Sequence, residues 1–334
     1  GLLLASLGRS RRGGPAHGIG EHDRVGHVRE GLGALQKYAD GSGIPLAHVS
    51  DPVVFADAVC GPAPARPAKR GKEEPPKRIA LVAARGALFA ENGLAFSEAD
   101  QRVLWREVIA LLTQRGYDYR LLTTGHVGDE AFLDAFIRAE GIPLGKAAVA
   151  VNTPEELVGE LRSADGVIAF RLHAAAASYA YAVPAVGLSW DTTIPHFYES
   201  IGYPHRALAP ARWRAAEVVA ALDAAMEDGV AKDETAIKSV YDALVAGLAS
   251  ALDRTPDQTP EPYASAQLRE RMAAQPATTP GQYRDKARAK LRRAYEALNA
   301  ATGRAAAPPP AAPARVSLWT RATRKAKRLL RRGR

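Results

Sequence analysis

Gly166-Val167-Ile168-Ala169-Phe170-Arg171-Leu172-His173-Ala174-Ala175-Ala176-Ala177 decides how this chain folds. An uncharged run from Gly166 to Phe170 gives way to an arginine, a histidine and then a row of alanines. A short apolar run of this length reads as a strand buried on both faces, and alanine is the strongest helix former. A strand-to-helix transition therefore falls at Arg171. A helix N-terminus presents unpaired N–H groups and a partial positive charge to an anion, and a guanidinium adds a planar fork matched to carboxylate or phosphate. Arg171, Leu172 and His173 are thus expected to belong to an anion-binding active site in an α/β enzyme.

Working outward, further apolar runs alternate with segments of helical period, the pattern of βαβ units around a parallel sheet. Strands are expected at Ile79 to Ala83, Tyr119 to Leu122, Ala147 to Val151, Gly166 to Phe170 and Ala185 to Ser189. Helices are expected at Glu98 to Arg115, with Val103, Leu104, Val108, Leu111 and Leu112 along one face, and at Asp129 to Ala139, Thr153 to Ser163 and Arg214 to Met226. Thr153-Pro154-Glu155-Glu156 starts its helix with an oxygen cap, an early proline and acids near the positive dipole end. Open α/β sheets bind ligands outside the carboxyl ends of their strands. Arg85, the pair His126 and Asp129, and the pair Arg171 and His173 all fall there. His126 and Asp129 either contact substrate or, for Asp129, cap the helix that follows. His196 reads as a surface or packing residue, His22 as a weaker candidate, and Gly18-Ile19-Gly20 lacks the strand and spacing of a dinucleotide site.

A chain of 334 residues exceeds one ordinary core. Residues 61–77, with five prolines, form a connector between a partial N-terminal α/β domain (1–60) and a C-terminal α/β domain (78–250). In the first domain Gly26 to Ala39 reads as a helix and Leu46 to Val49 as a short strand. Residues 251–334 read as a basic tail, with a charged helix at Gln282 to Asn299 and an Ala/Pro stretch at Ala305 to Pro313. The formal charge of +9 is misleading until located, because Arg284 to Arg334 holds 16 Lys+Arg against 2 Asp+Glu and leaves −5 for the rest. A nucleic-acid role is not expected, since Trp319 is the one aromatic residue of the last twenty. That segment, 315–334, reads either as a solvated basic tail or, from its composition, as a helix that lies on an anionic membrane. The single cysteine, Cys60, excludes an internal disulfide and fits a reducing compartment. No stretch has the roughly 18 apolar residues of a spanning helix. The chain begins on Gly1 rather than Met, so its natural start is expected upstream.

Asp165 to Ala174, then Ala182-Val183-Pro184-Ala185-Val186-Gly187-Leu188, Trp190-Asp191, Phe197 and Ile201-Gly202-Tyr203-Pro204, resemble in order and spacing the signature region of the polysaccharide pyruvyl transferase family. Val28-Arg29-Glu30 and Ser50-Asp51-Pro52 resemble the end of that family's first domain, and Ile79 to Arg85 the first strand of its second. The resemblance implies a two-domain, glycosyltransferase-B-like arrangement of parallel sheets with an incomplete N-terminal domain. It also implies transfer of a pyruvyl group from phosphoenolpyruvate to sugar hydroxyls as a ketal. Arg171 and His173 would then be catalytic, and Arg85, Leu172, His126 and Asp129 would bind substrate, with no metal or other cofactor. The partners would be phosphoenolpyruvate and a saccharide or lipid-linked glycan acceptor in cell-envelope exopolysaccharide synthesis. The location would be cytoplasmic, with the tail touching the inner face of the plasma membrane. Two departures stand out: Thr193 occupies the place of a usual lysine, and the family's glycine-rich opening is absent. A nucleotide-sugar glycosyltransferase of the same architecture and an inert membrane-docking module remain as alternatives.

Overall fold

Burial on both faces is what the apolar runs require, and a parallel sheet between two helical layers supplies it. The computed structural model describes residues 50–61, 75–251, 267, 270 and 280–301. Strands β1 (Arg78–Val82), β2 (Asp118–Leu122), β3 (Ala147–Ala148), β4 (Gly166–Ala169), β5 (Ala185–Leu188) and β6 (Ala207–Leu208) form one six-stranded sheet in the order β3-β2-β1-β4-β5-β6. Every pairing is parallel, with Leu81 opposite Leu121 on one side and Ile168 on the other. The order reverses between β1 and β4, which puts a topological switch point at the centre of the sheet.

The chain enters this unit through a 3-10 turn at Pro52–Phe55, capped by the Asp51 carboxylate on Val53 N–H at 2.8 Å, and a short helix α1 (Ala56–Val59). Val54, Phe55 and Ala56 are buried against helices of the sheet unit. The Tyr181 hydroxyl lies 3.0 Å from Ala56 O and 2.8 Å from Gly61 O, and burial pushes its pKa up to about 12. Lys232 Nζ completes the attachment, 2.8 Å from Asp57 and 3.0 Å from Ala180 O.

After β1 come α2 (Ala87–Glu91) and α3 (Glu98–Gln114). Ser97 and Asp100 form a reciprocal capping box at the start of α3. Its buried face is Gln101, Leu104, Trp105, Val108 and Leu112, whereas Val103, expected on that face, is 44% exposed. The expected stripe is rotated because Trp105, the largest side chain of the helix, takes the central place. Helix α4 (Val127–Ala139) packs on the same face through Phe132, Leu133, Phe136 and Ile137. Helix α5 (Pro154–Leu161) crosses to the opposite face and begins as expected, with Thr153 Oγ1 accepting from Glu156 N–H at 3.1 Å.

Helix α6 (Leu172–Ala180) follows β4 and is buried from Ala174 to Ala180. Its alanines allow that, since β4, β5, the 52–55 turn and α7 (Thr193–Ser200) crowd it from several sides. Pro195 stands in the first turn of α7, where a missing N–H costs little. Helix α8 (Ala215–Asp228) returns to the first face with Val218, Val219 and Leu222, and α9 (Glu234–Ala251) follows it. The chain divides into two compact units, residues 1–283 and 284–334, and α10 (Pro280–Ala301) covers the expected charged helix.

The expected strand Ala147–Val151 is shorter than its apolar run: only Ala147 and Ala148 pair with β2, because the Thr123 hydroxyl takes the Val149 carbonyl at 3.1 Å instead. Strand β6 and helices α2, α7 and α9 carry no expectation from periodicity. The first two are too short, and α7 is masked by its proline. The expected elements at Gly26 to Ala39 and Leu46 to Val49, and the segment 315–334, lie outside the described residues.

One aromatic cluster sits directly under the end of β4. Phe170 is fully buried, with Phe89, Trp105 and Trp213 edge-on at 5.0, 5.5 and 5.1 Å. Phe170→Ala is expected to lower stability by about 3–5 kcal/mol in urea denaturation. A loss below about 1 kcal/mol would show that the cluster does not anchor this edge.

Candidate functional site

The candidate residues gather at the carboxyl ends of β1, β2 and β4, on either side of the switch point. Asp129, in the first turn of α4, is their centre and is fully buried. Its Oδ1 accepts the Arg85 backbone N–H at 2.8 Å, and the Arg171 guanidinium grips both oxygens, with Nε 2.8 Å from Oδ2 and Nη2 bonded to Oδ1. Asp129 is not the cap of α4. His126 is: its Nδ1 accepts from Gly128 N–H at 3.1 Å and lies 3.7 Å from Asp129 Oδ1. An accepting Nδ1 places the proton of a neutral ring on Nε2.

Arg85 is held at both its backbone and its side chain. The preceding Ala84 is clamped by the buried Gln101, which donates to Ala84 O at 2.9 Å and accepts from Ala84 N–H at 3.2 Å. The side chain then runs over Gly128, where an added Cβ would stand 2.9 Å from Arg85 Cδ. Only a glycine admits that close approach. The guanidinium ends as a two-pronged pair with Glu91, Nη1 donating to Oε1 at 2.6 Å and Nη2 to Oε2. The hydrogen bond from Arg85 is the main cause that holds the Glu91 carboxyl below the usual range, with the charges of Arg85 and His126 adding to it.

Arg171 is the N-cap of α6 and makes no side-chain cap bond, because its guanidinium is turned to Asp129. Its carbonyl accepts from Ala174 N–H at 3.1 Å, so the N–H groups of Leu172 and His173 start the helix without an intrahelical acceptor. The His173 side chain is 65% exposed, with Nε2 3.8 Å from Asp51 Oδ2. The structure therefore brings Arg85, His126, Asp129 and Arg171 into one network. Leu172 and His173 stand beside it on the first turn of α6, with His173 turned to Asp51. Next to them Trp190 Nε1 donates to Phe170 O at 2.6 Å, and Asp191 Oδ1 accepts from Thr193 N–H at 3.0 Å and its hydroxyl at 2.7 Å. Thr193 thus closes its own loop and adds no cation. His196 is 53% exposed on α7, 3.5 Å from Glu199.

Two residues of this region escaped the sequence. Glu91 ends a five-residue helix with no period to mark it, and Asp51 carries the signal of an ordinary turn cap before proline. The Cys60 thiol is pushed up by burial, so it is poorly suited to act as a thiolate nucleophile. A cavity of about 640 Å3 opens elsewhere, at the β2–β3 edge, and none of the candidate residues lines it. Among the described residues no group of three or more His, Cys, Asp or Glu is arranged to hold a metal ion, and no helix is long and apolar enough to cross a membrane.

In a doubly wound parallel domain the switch point is where ligands bind, and here it carries basic groups. A family model described as polysaccharide pyruvyl transferase matches residues 28–192, a span that holds every residue of the cluster. Over that span the chain is similar to polysaccharide pyruvyl transferases, a likeness that points to a transferase acting on a polysaccharide. No curated protein matches the chain.

Removing Asp129 would leave Arg171 largely buried without a counter-charge and free the Arg85 N–H. Asp129→Ala is expected to cost about 3 kcal/mol or more, read by chemical denaturation. A loss near zero would mean that the two arginine loops hold themselves in place.

Proposed function

We propose that this protein moves the pyruvyl group of phosphoenolpyruvate onto two hydroxyls of a sugar, forming a ketal in a cell-envelope polysaccharide and releasing phosphate. The observation that carries the proposal is the pair of arginines on the loops after the adjacent strands β1 and β4, both bonded to the buried Asp129 beside the α6 N-terminus. A donor with a carboxylate and a phosphate needs two separated sites for negative charge. Arg85 and the first turn of α6, with the remaining face of Arg171, supply them.

In this reading Arg85, Leu172 N–H and Arg171 hold the donor, and His126 lines the acceptor side. Asp129 acts through the arginines. His173, exposed at the head of α6, delivers a proton to the methylene carbon. C2 then becomes electrophilic enough for attack by a first sugar hydroxyl, and a second hydroxyl displaces phosphate. The diol gives up two protons, of which one ends in the new methyl group and the other leaves with phosphate. Residues before the linker would complete the acceptor side in a glycosyltransferase-B-like arrangement. The segment 315–334 would hold the enzyme at an anionic membrane on the cytoplasmic face.

The test is incubation with phosphoenolpyruvate and a β-galactosyl or mannosyl acceptor, following phosphate release and the ketal methyl signal by NMR. His173→Ala is expected to lower kcat by about 100-fold or more. Unchanged transfer in that variant would remove His173 from the chemistry. Consumption of a nucleotide sugar in place of phosphoenolpyruvate would replace the proposal with glycosyl transfer.

A further inference from the structure

The two arginines of the site are neutralised in different ways. Arg171 is bound to a carboxylate with no exposure at all, fixed by three donors, so that pair is permanent. Arg85 is bound to Glu91, whose side chain is 53% exposed at the end of the short helix α2. Both terminal nitrogens of Arg85 face the two oxygens of Glu91, which is the fork geometry by which a guanidinium takes a free carboxylate or phosphate. The donor atoms that a ligand would need are already engaged.

The constraints on the two partners are unequal. Arg85 has its N–H on Asp129, its preceding peptide clamped by Gln101 and its side chain laid on Gly128. It has little freedom to turn away. Glu91 is held by the fork of Arg85 and the nearby charge of His126, with about half of its side chain open to solvent. Of the two partners, the glutamate has the greater room to move.

We infer that Glu91 is an internal placeholder anion, occupying the fork of Arg85 until an anionic group of the donor displaces it. This rests on the reading of the cluster as a donor site. The placeholder keeps Arg85 aimed and extended when no ligand is bound. It also imposes a threshold, because every ligand that uses the fork must outcompete a tethered carboxylate, which acts at a high effective concentration. A ligand with a single anionic group gains enough to do so only at high concentration. One with two anionic groups, the second placed at the α6 N-terminus, gains enough.

The experiment is calorimetric binding of phosphoenolpyruvate and, separately, of inorganic phosphate to the full chain and to Glu91→Gln. An intramolecular competitor weakens every fork-binding ligand by one common factor. E91Q is therefore expected to tighten both probes by the same factor, about fivefold for an exposed ion pair. The same change in an Arg85→Gln background is expected to have no effect, which shows that the gain passes through the fork. Unchanged or weaker binding by a folded E91Q would overturn the inference and leave Glu91 as a brace for Arg85. Absence of binding of either probe to any variant would overturn it as well. Ketal formation tests the reaction separately, so a protein that binds phosphate more tightly as E91Q yet makes no ketal would refute the reaction and keep the placeholder.

Discussion

The Asp129 carboxylate, with no exposure to water, is the interaction on which the rest of the site depends. It joins the loop after β1, the start of α4 and the loop after β4 through one backbone N–H and one guanidinium. A buried carboxylate is tolerated only when its charge is matched and its lone pairs are filled. Arg85 N–H and Arg171 do both, so the cost of burying the acid also sets the position of the two bases. Three strand ends are thereby held in one arrangement at the switch point of the sheet.

Around that centre the small residues have a common purpose. Gly128 lets Arg85 cross the head of α4, and the alanines of α6 let that helix lie close to β4 while carrying its N-terminal N–H groups to the same edge. Below them the Phe170 cluster gives the β4 end a rigid floor. The charges of the site are balanced before any ligand arrives, with Arg171 matched by a buried acid and Arg85 by an exposed one. This balance matters physically, because an unmatched pair of arginines would hold any small anion present.

Much of the sheet was legible because parallel strands, buried on both faces, leave apolar runs that stand out from their surroundings. The runs at Ile79, Tyr119, Gly166 and Ala185 mark β1, β2, β4 and β5 to within a residue or so at each end, and the placement of Arg85, His126, Asp129, Arg171 and His173 after strands follows directly. The errors have particular causes. The stretch Ala147–Val151 is apolar throughout, yet a threonine hydroxyl competes for its backbone and ends β3 early. Strand β6 has two residues, too few for any period. In α3 the stripe shifted to make room for Trp105, because packing volume outranks the count of apolar side chains.

By itself the sequence determined the α/β class, the strand-to-helix transition at Arg171, and the family that the matched region resembles, since each is written in residues near one another along the chain. Tertiary structure alone decided that β1 and β4 are neighbours, that His126 and not Asp129 caps α4, and that Arg85 faces Glu91 while Arg171 faces Asp129. Arg171 and Asp129 are 42 positions apart, and whether an arginine meets a buried acid, an exposed one or a ligand depends on which strand ends the sheet order brings together. Local patterns of polarity carry no record of that order.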